Sequence, residues 1–476
     1  MRIFLLSICL LLCACQPAKH ADIRFAVAQM PLNLDPRYAT DAASERVNRL
    51  LYQPLVDFDA ASKPAPVLAS WQAVGDTEYR FTLIKQVTFH HGRALTSADV
   101  KATYASLMQL RDAPHAADFV HVASIETPDE KTIVFKLNQP DKHFPSKLII
   151  GILPQELIEQ GHDFSHQPVG SGPLRFMNWQ HDLQLKRMSD GQAITLQEVK
   201  DPTVRVLKLQ RGEVDLLQGD LPPELVKHLQ DMPEVRIQTG LGANYSYLGL
   251  NMRDSVLQNL KVRQALAHAI DRRAIIRKVM IGGTREAGAI LPPEHYTNQT
   301  GSGNGDLSPH DYNPQLSKKL LQEAGVQLPL KLVYKTSTDA FRVRLATIMQ
   351  AQMRQAGIEL QIKSLDWGTF FADVKAGNFQ LFGLTWVGIK TPEIYAKAFG
   401  SNFTPPNGFN RGRYADVELD ALLVQEDWPA VTRRIHAQLP YIPLWYEGQF
   451  TAMRRDVQGF NPKPDGNWDD LARIKK

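Results

Sequence analysis

All three cysteines of this 476-residue chain, Cys9, Cys13 and Cys15, fall within its first 15 residues. Everything downstream must fold without a disulfide, so its stability has to come from buried apolar surface, which a long chain supplies and a small exported domain does not. Hydrophobic residues make up 43% of the chain and charged residues 22%, the proportions of an ordinary globular protein. The length predicts two or more lobes. The formal charge of +4 is too small to imply nucleic acid, and no basic run with interleaved aromatics is present.

The same cysteines mark a targeting segment. Arg2 precedes a mostly apolar run, residues 3–12, too short to span a bilayer, and Leu12-Cys13-Ala14-Cys15 looks like a bacterial lipoprotein cleavage box. Residues 1–14 are expected to leave as a signal peptide, with Cys15 lipidated and residues 15–21 a polar tether. Each buried methylene of such a lipid contributes about 0.8 kcal/mol, so two or three acyl chains hold a protein to a membrane durably. The expected location is the cell envelope, on the periplasmic side, anchored to the inner or outer membrane.

Beyond the tether, Ile23-Arg24-Phe25-Ala26-Val27-Ala28 alternates as a first strand, and Pro31-Leu32-Asn33-Leu34-Asp35-Pro36 reads as the loop leaving it. Open α/β sheets bind ligands at such carboxyl ends. Residues 79–84 and 132–137 alternate as strands, and Thr96-Ser97-Ala98-Asp99 caps a helix running to Leu107. Helices over 315–324 and 342–356 flank strands at 331–334 and 359–362, with Gly325 and Gly357 as stops, which argues for an α/β lobe. Residues 297–306 read as an exposed loop.

Catalytic and metal chemistry find little support. There is no His-Glu-x-x-His run, no Gly-x-Ser-x-Gly elbow and no phosphate-cradling Gly-rich loop ending in Lys. His90-His91 read as a turn before Gly92, and His162 and His166, bracketed by Gly161 and Pro168, as a loop. Asp416, Glu418 and Asp420 fit the solvated face of a short element. The expectation is a protein that is not an enzyme and uses no cofactor or metal.

Several blocks in fixed order carry a resemblance. They are Thr88-Phe89-His90-His91-Gly92-Arg93-Ala94-Leu95-Thr96-Ser97-Ala98-Asp99-Val100, then Val169-Gly170-Ser171-Gly172-Pro173, Gly212-Glu213-Val214-Asp215, Val262-Arg263-Gln264-Ala265-Leu266 and Ala269-Ile270-Asp271-Arg272, followed later by Tyr312-Asn313-Pro314 and Tyr441-Ile442-Pro443-Leu444-Trp445-Tyr446. Together they resemble the family 5 extracytoplasmic solute-binding proteins, the peptide/nickel group that serves ATP-binding-cassette (ABC) importers, over nearly the whole mature chain.

The resemblance implies an α/β, bilobal periplasmic-binding-protein-like fold (type II, cluster C) with an extra α+β subdomain in the first lobe. Lobe I would comprise residues 22–46, 167–239 and 434–476, the inserted subdomain 47–166 and lobe II 240–433, with hinges near 240–247 and 435–443. The implied function is that of a lipid-anchored binding protein capturing a peptide or peptide-like solute for an ABC importer. Its partners would be that solute, the permease subunits and, through Cys15, the membrane, with no nucleic acid and a monomeric state. An exported hydrolase of small peptides or glycans, or a receptor for a membrane sensor, stand as alternatives.

The candidate ligand-binding residues are Trp386, Tyr245 and Tyr247 as aromatic contacts, Asn33 and Asp35 on the first loop, and Ile389. Peptide-binding members of the family usually place an aspartate three residues beyond this tryptophan to pair with the peptide amino terminus. Ile389 occupies that position, which implies an unusual solute or an altered binding mode. Glu393 is the nearest carboxylate in sequence, with Lys390 available to neutralise it.

Overall fold

The structure is a computed structural model describing residues 22–39, 41–110, 113–219, 221–280, 282–298 and 307–476. Cys15, the signal segment and most of the expected 297–306 loop lie outside the described residues. Among the described residues, no helix is long and apolar enough to cross a membrane.

Two long strands organise the molecule. Val235–Leu250 and Tyr441–Arg454 run antiparallel, from the pair Val235/Arg454 at one end to Gly249/Tyr441 at the other. On one side of their midpoint, residues 451–453 pair with Leu216–Gln218, which leads on to the parallel strands Ile23–Val27 and Ala193–Glu198. On the other side, residues 245–250 pair with Leu381–Trp386, which leads to Leu330–Ser337 and Ile358–Leu365. One sheet of eleven strands thus extends through both lobes. The pairing of the two long strands shifts register near the middle, where Gly240 faces Gln449 and Asn244 faces Glu447, so the first strand carries extra residues, and shifts again between Ser246 and Tyr247. Gly242 is required at the first shift because a side chain would run into the backbone of Glu447.

Separate cores lie on either side of this crossing. The second lobe buries Tyr245, Leu266, Ile275, Met349, Phe382 and Trp445, among others, in one continuous cluster. The first lobe has a cluster on each sheet face, one around Phe25, Leu51, Leu185 and Trp468 and the other around Leu209, Leu217, Leu229 and Phe450. A further core belongs to the inserted block, where the strands Ala69–Ala73, Glu78–Leu83, Thr132–Leu137 and Val122–Glu126 form a sheet of their own. Tyr79, Phe81 and Leu83 point inward by strict alternation. Phe81 and Tyr104 each meet Phe135 edge-on at 5.7 Å, and burying each such ring stabilises the fold by roughly 1.5–3 kcal/mol. The helix Ser97–Gln109 is started as expected, with Asp99 Oδ2 accepting the Thr96 N–H at 2.8 Å.

The sequence blocks have structural reasons. A side chain at Gly170 or Gly172 would overlap the backbone at Leu50–Leu51, and the Gly172 N–H donates to the Leu51 carbonyl at 2.8 Å. His90 reaches the same glycines, its N–H donating to Gly170 and its Nε2 lying 3.0 Å from the Gly172 carbonyl, while His91 turns away to Glu156. His162 contacts the Gln167 carbonyl and His166 pairs with Asp163. Asp416 caps the helix Val417–Gln425 and binds Arg434. Gly325 and Gly357 follow their helices with φ of 72° and 78°, backbone that a glycine adopts without strain.

His310 lies between His268 and His436, each ring centroid 5.2 Å from its own. Burial, then the proximity of His436, His268 and Arg272, pushes its pKa down to about 4. The unfolded chain therefore binds a proton near pH 6.5 that the folded chain refuses until about pH 4, so stability is full above the upper value and falls as the pH drops through this window. With its partial exposure taken into account, the expected loss is about 2 kcal/mol. Urea titrations at pH 7.5 and pH 4.5 on the native chain and on His310→Asn check this, with the variant expected to show the smaller difference.

Candidate ligand cleft between the lobes

The helix Ala42–Leu51 builds one wall of a cleft. Asp41 caps it by accepting the Ser44 N–H at 2.9 Å, and Val47, Leu50 and Leu51 bury its apolar stripe in the first lobe. That placement turns Glu45, Arg46, Asn48 and Arg49 towards a cavity of about 380 Å³, within the range of small-molecule sites. Tyr52, Gln53, Asp57, Phe58 and the stretch 149–151 continue the wall, and Asp465 and Asn467 join the lining. The second lobe contributes Val387, Gly388 and Lys390, from the segment that leaves the strand Leu381–Trp386.

Charges bind the two walls together. Lys390 Nζ lies 3.1 Å from Asp465 Oδ2 across the cleft and 5.7 Å from the Phe58 ring centre. The Lys390 carbonyl is fixed by His295, whose Nε2 must carry the proton because a carbonyl only accepts; the distance is 2.9 Å. Burial holds His295 below its ordinary pKa, which favours this neutral form. Arg49 binds Asp57 at 2.7 Å and Asp469 at 3.1 Å. Burial raises the Asp57 carboxyl, but Arg49 outweighs it and holds the group below the usual range.

A second cavity of about 230 Å³ lies between the inserted block and the second lobe, lined by Phe58, Trp71, His143, Tyr296 and Glu393 among others. Beside it, Glu426 is 2.7 Å from both His143 Nε2 and Lys142 Nζ, and His143 Nδ1 is 3.5 Å from Glu393. Burial raises Glu426, but Lys142 and His143 more than compensate and hold it low. Arg344 pairs with Glu224 between the lobes, and the Tyr296 N–H donates to the Ala61 carbonyl at 2.8 Å.

The residues singled out from sequence occupy other places. Trp386 is 9% exposed and lines neither cavity; Arg411 stacks 4.5 Å from its ring centre. Tyr247 stacks on Tyr441 at 4.2 Å and accepts from Arg411, while Tyr245 lies parallel to Tyr247 at 5.7 Å, both buried in the second lobe. Asn33 Oδ1 accepts the Asp35 N–H at 2.8 Å, and the Asp35 carboxylate pairs with Arg37 at 2.6 Å, so both serve their own loop. Ile389 packs against the second-lobe core. Lys390 is paired with Asp465, and Glu393 meets His143 instead. Glu45, Arg46, Asn48 and Asp465 were not anticipated, because a polar helix face reads the same whether it meets solvent or a cleft.

The model of the bacterial extracellular solute-binding proteins, family 5 Middle, matches residues 63–405. The oligopeptide-binding protein AppA of Bacillus subtilis (strain 168) is 24% identical, covering 97% of this chain and 92% of that protein. The probable di/tripeptide-binding protein 5 of Pseudomonas aeruginosa (strain UCBPP-PA14) is 26% identical, covering 96% of each. In fold, the chain resembles the ABC transporter substrate-binding protein CtaP of Listeria monocytogenes, with a TM-score of 0.84, 22% identity and coverage of 96% of this chain and 99% of that one. With its two lobes joined by a pair of crossing strands beside a cleft, this chain belongs to the family 5 bacterial extracellular solute-binding proteins.

Proposed function

We propose that the protein is the solute-capturing component of an ABC importer, holding a peptide or peptide-like molecule between two closing lobes and releasing it unchanged. The observation that carries this reading is the cavity of about 380 Å³ whose walls come from both lobes, in a chain of this family. The names of its relatives support peptides as the solute class. In this reading the second lobe spans 245–446, the inserted subdomain 55–152, and the lobes pivot where 240–244 crosses 447–449. The second pivot in this reading follows closely on the expected stretch 435–443, of which Ile435, Leu439, Tyr441 and Ile442 pack in the second-lobe core. Trp386, Tyr245 and Tyr247 act as the rigid backing of the 387–390 wall, and Asn33 and Asp35 shape a loop. Cys15 carries the lipid anchor; Cys15→Ser is expected to free the protein from the membrane fraction, and retention there would refute the anchor.

Closure is stabilised by a solute only to the extent that the solute prefers the closed state. The Glu426–His143–Lys142 cluster favours the same state. Solution scattering with di- to pentapeptides is expected to show compaction on binding. Glu426→Gln is expected to weaken affinity about three- to tenfold and to expand the solute-free protein. An unchanged shape with a confirmed solute bound would refute the closing mechanism.

A further inference from the structure

The inserted block meets the second lobe through one imidazole. His143 stands just ahead of the short helix Phe144–Lys147, its backbone N–H donating to Asp141 Oδ1 at 3.0 Å. Its ring faces the opposite lobe, with Nε2 2.7 Å from Glu426 Oε2 and Nδ1 3.5 Å from Glu393 Oε1. The second oxygen of Glu393 is closed off from solvent and has no hydrogen-bond partner among the described residues.

A neutral imidazole has a single N–H, so it donates to one of these carboxylates while its other nitrogen turns a lone pair towards the second; only the imidazolium can donate to both. Lys142 Nζ, 2.7 Å from the same Glu426 oxygen, supplies one positive charge. Two carboxylates and one ammonium therefore sum to minus one around a neutral imidazole, and a protonated ring brings the cluster to zero.

The other groups near the ring do not take over this role. Asp141 is matched by Lys147 at 2.6 Å on the same side of the gap. Lysine ammonium groups keep their charge between pH 5 and 8, so Lys142, and Lys63 in the lining of the adjoining cavity, form a constant background. Burial, then Glu393 and Glu426, push the Tyr296 hydroxyl up to about 12, which keeps it neutral. His295, which also senses Glu393, has both nitrogens engaged in its neutral form, Nε2 on the Lys390 carbonyl and Nδ1 accepting the Thr297 N–H at 3.3 Å.

We infer that His143 is a pH-sensitive latch on lobe closure: protonated, it draws Glu393 and Glu426 of the second lobe onto the inserted block, and neutral, it releases them. This rests on the closing mechanism proposed above and adds a control that the solute itself does not exert. Imidazoles change charge between about pH 5 and 8. A proton held more tightly by the closed form favours that form through linkage, so acid closes the lobes and base opens them.

The test is solution scattering of the solute-free full chain, with calorimetry of di- to pentapeptides, each at pH 5.5 and pH 8.0. The native chain is expected to be more compact at pH 5.5, and any peptide that binds is expected to bind about 3- to 10-fold more tightly there, the size of one added ion-pair contact. His143→Gln keeps an amide donor but cannot be protonated, and is expected to lose that difference. Glu393→Gln is expected to shrink the difference with His143 in place, which a packing role for the ring would not do. Circular dichroism at both pH values checks that each variant is folded. A pH response of native size in His143→Gln overturns the inference, as does a native chain equal in compactness and affinity at the two pH values. Should no peptide bind, scattering alone decides between these outcomes. If a peptide binds and no condition compacts the chain, the closing mechanism itself falls, and the latch with it.

Discussion

Replacing Arg272 by Leu is expected to destabilise the second lobe by about 4 kcal/mol, because this guanidinium is 2% exposed and works entirely on backbone carbonyls. Its Nε donates to Pro443 at 2.7 Å, and its Nη1 to Ala267 at 3.0 Å, Ile270 at 3.3 Å and His310 at 3.0 Å. Leucine fills part of the volume but leaves these acceptors without a donor. Burial pushes the arginine pKa down to about 10, still far above neutrality, so the charge is present and its removal is felt. Hydrogen exchange is the discriminating measurement. Amides of the helices Leu260–His268 and Arg272–Val279 and of the start of Tyr441–Arg454 are expected to exchange faster, while those of Ile23–Val27 and Ala193–Glu198 stay protected, since the two lobes have distinct cores. Uniform acceleration would show that the lobes unfold as one unit.

Asp215→Ala should produce the complementary defect, costing about 3 kcal/mol in the first lobe. The Asp215 side chain is fully buried and accepts from Lys476 Nζ at 2.7 Å and Arg24 Nε at 3.2 Å, with the Arg24 N–H at 2.8 Å. It joins the first strand, the strand Leu216–Gln218 and the chain end. Removal leaves two partly buried cations facing each other without an anion. Burial raises this carboxyl, but Arg24 and Lys476 dominate and hold it below its ordinary value. The stability it provides is present above the unfolded carboxylate pKa and is lost as acid protonates the folded group. Guanidinium titration at pH 7 and pH 3 is the check, and the variant should differ most from the native chain at pH 7. An unchanged midpoint at pH 7 would refute the role.

Much of the architecture was legible in the chain because local chemistry leaves local marks. The alternation in Glu78–Leu83, the Thr96 and Asp99 capping pair, and Gly325 and Gly357 behind their helices each report on neighbours a few residues away. The block order brought the family into view for the same reason: each block is a short structural device. The site was far less legible. Large aromatics such as Trp386 and Tyr247 serve solute contact and packing alike, and only the folded chain shows Arg411 against Trp386 and Tyr441 against Tyr247. Lys390 looked like a partner for Glu393 from three residues away, yet it reaches Asp465, 75 positions on.

The amino-acid sequence alone determined that this is a disulfide-free α/β protein downstream of its first residues, built from the short motifs of an extracellular solute-binding family. Those features depend on composition and on contacts within a few residues. Which polar groups line a cavity was decided only when residues 45–49, 387–390 and 465–467 came together from distant parts of the chain. Charge and burial at such a junction are properties of two surfaces meeting, and a single helix carries no local mark of what will close over it.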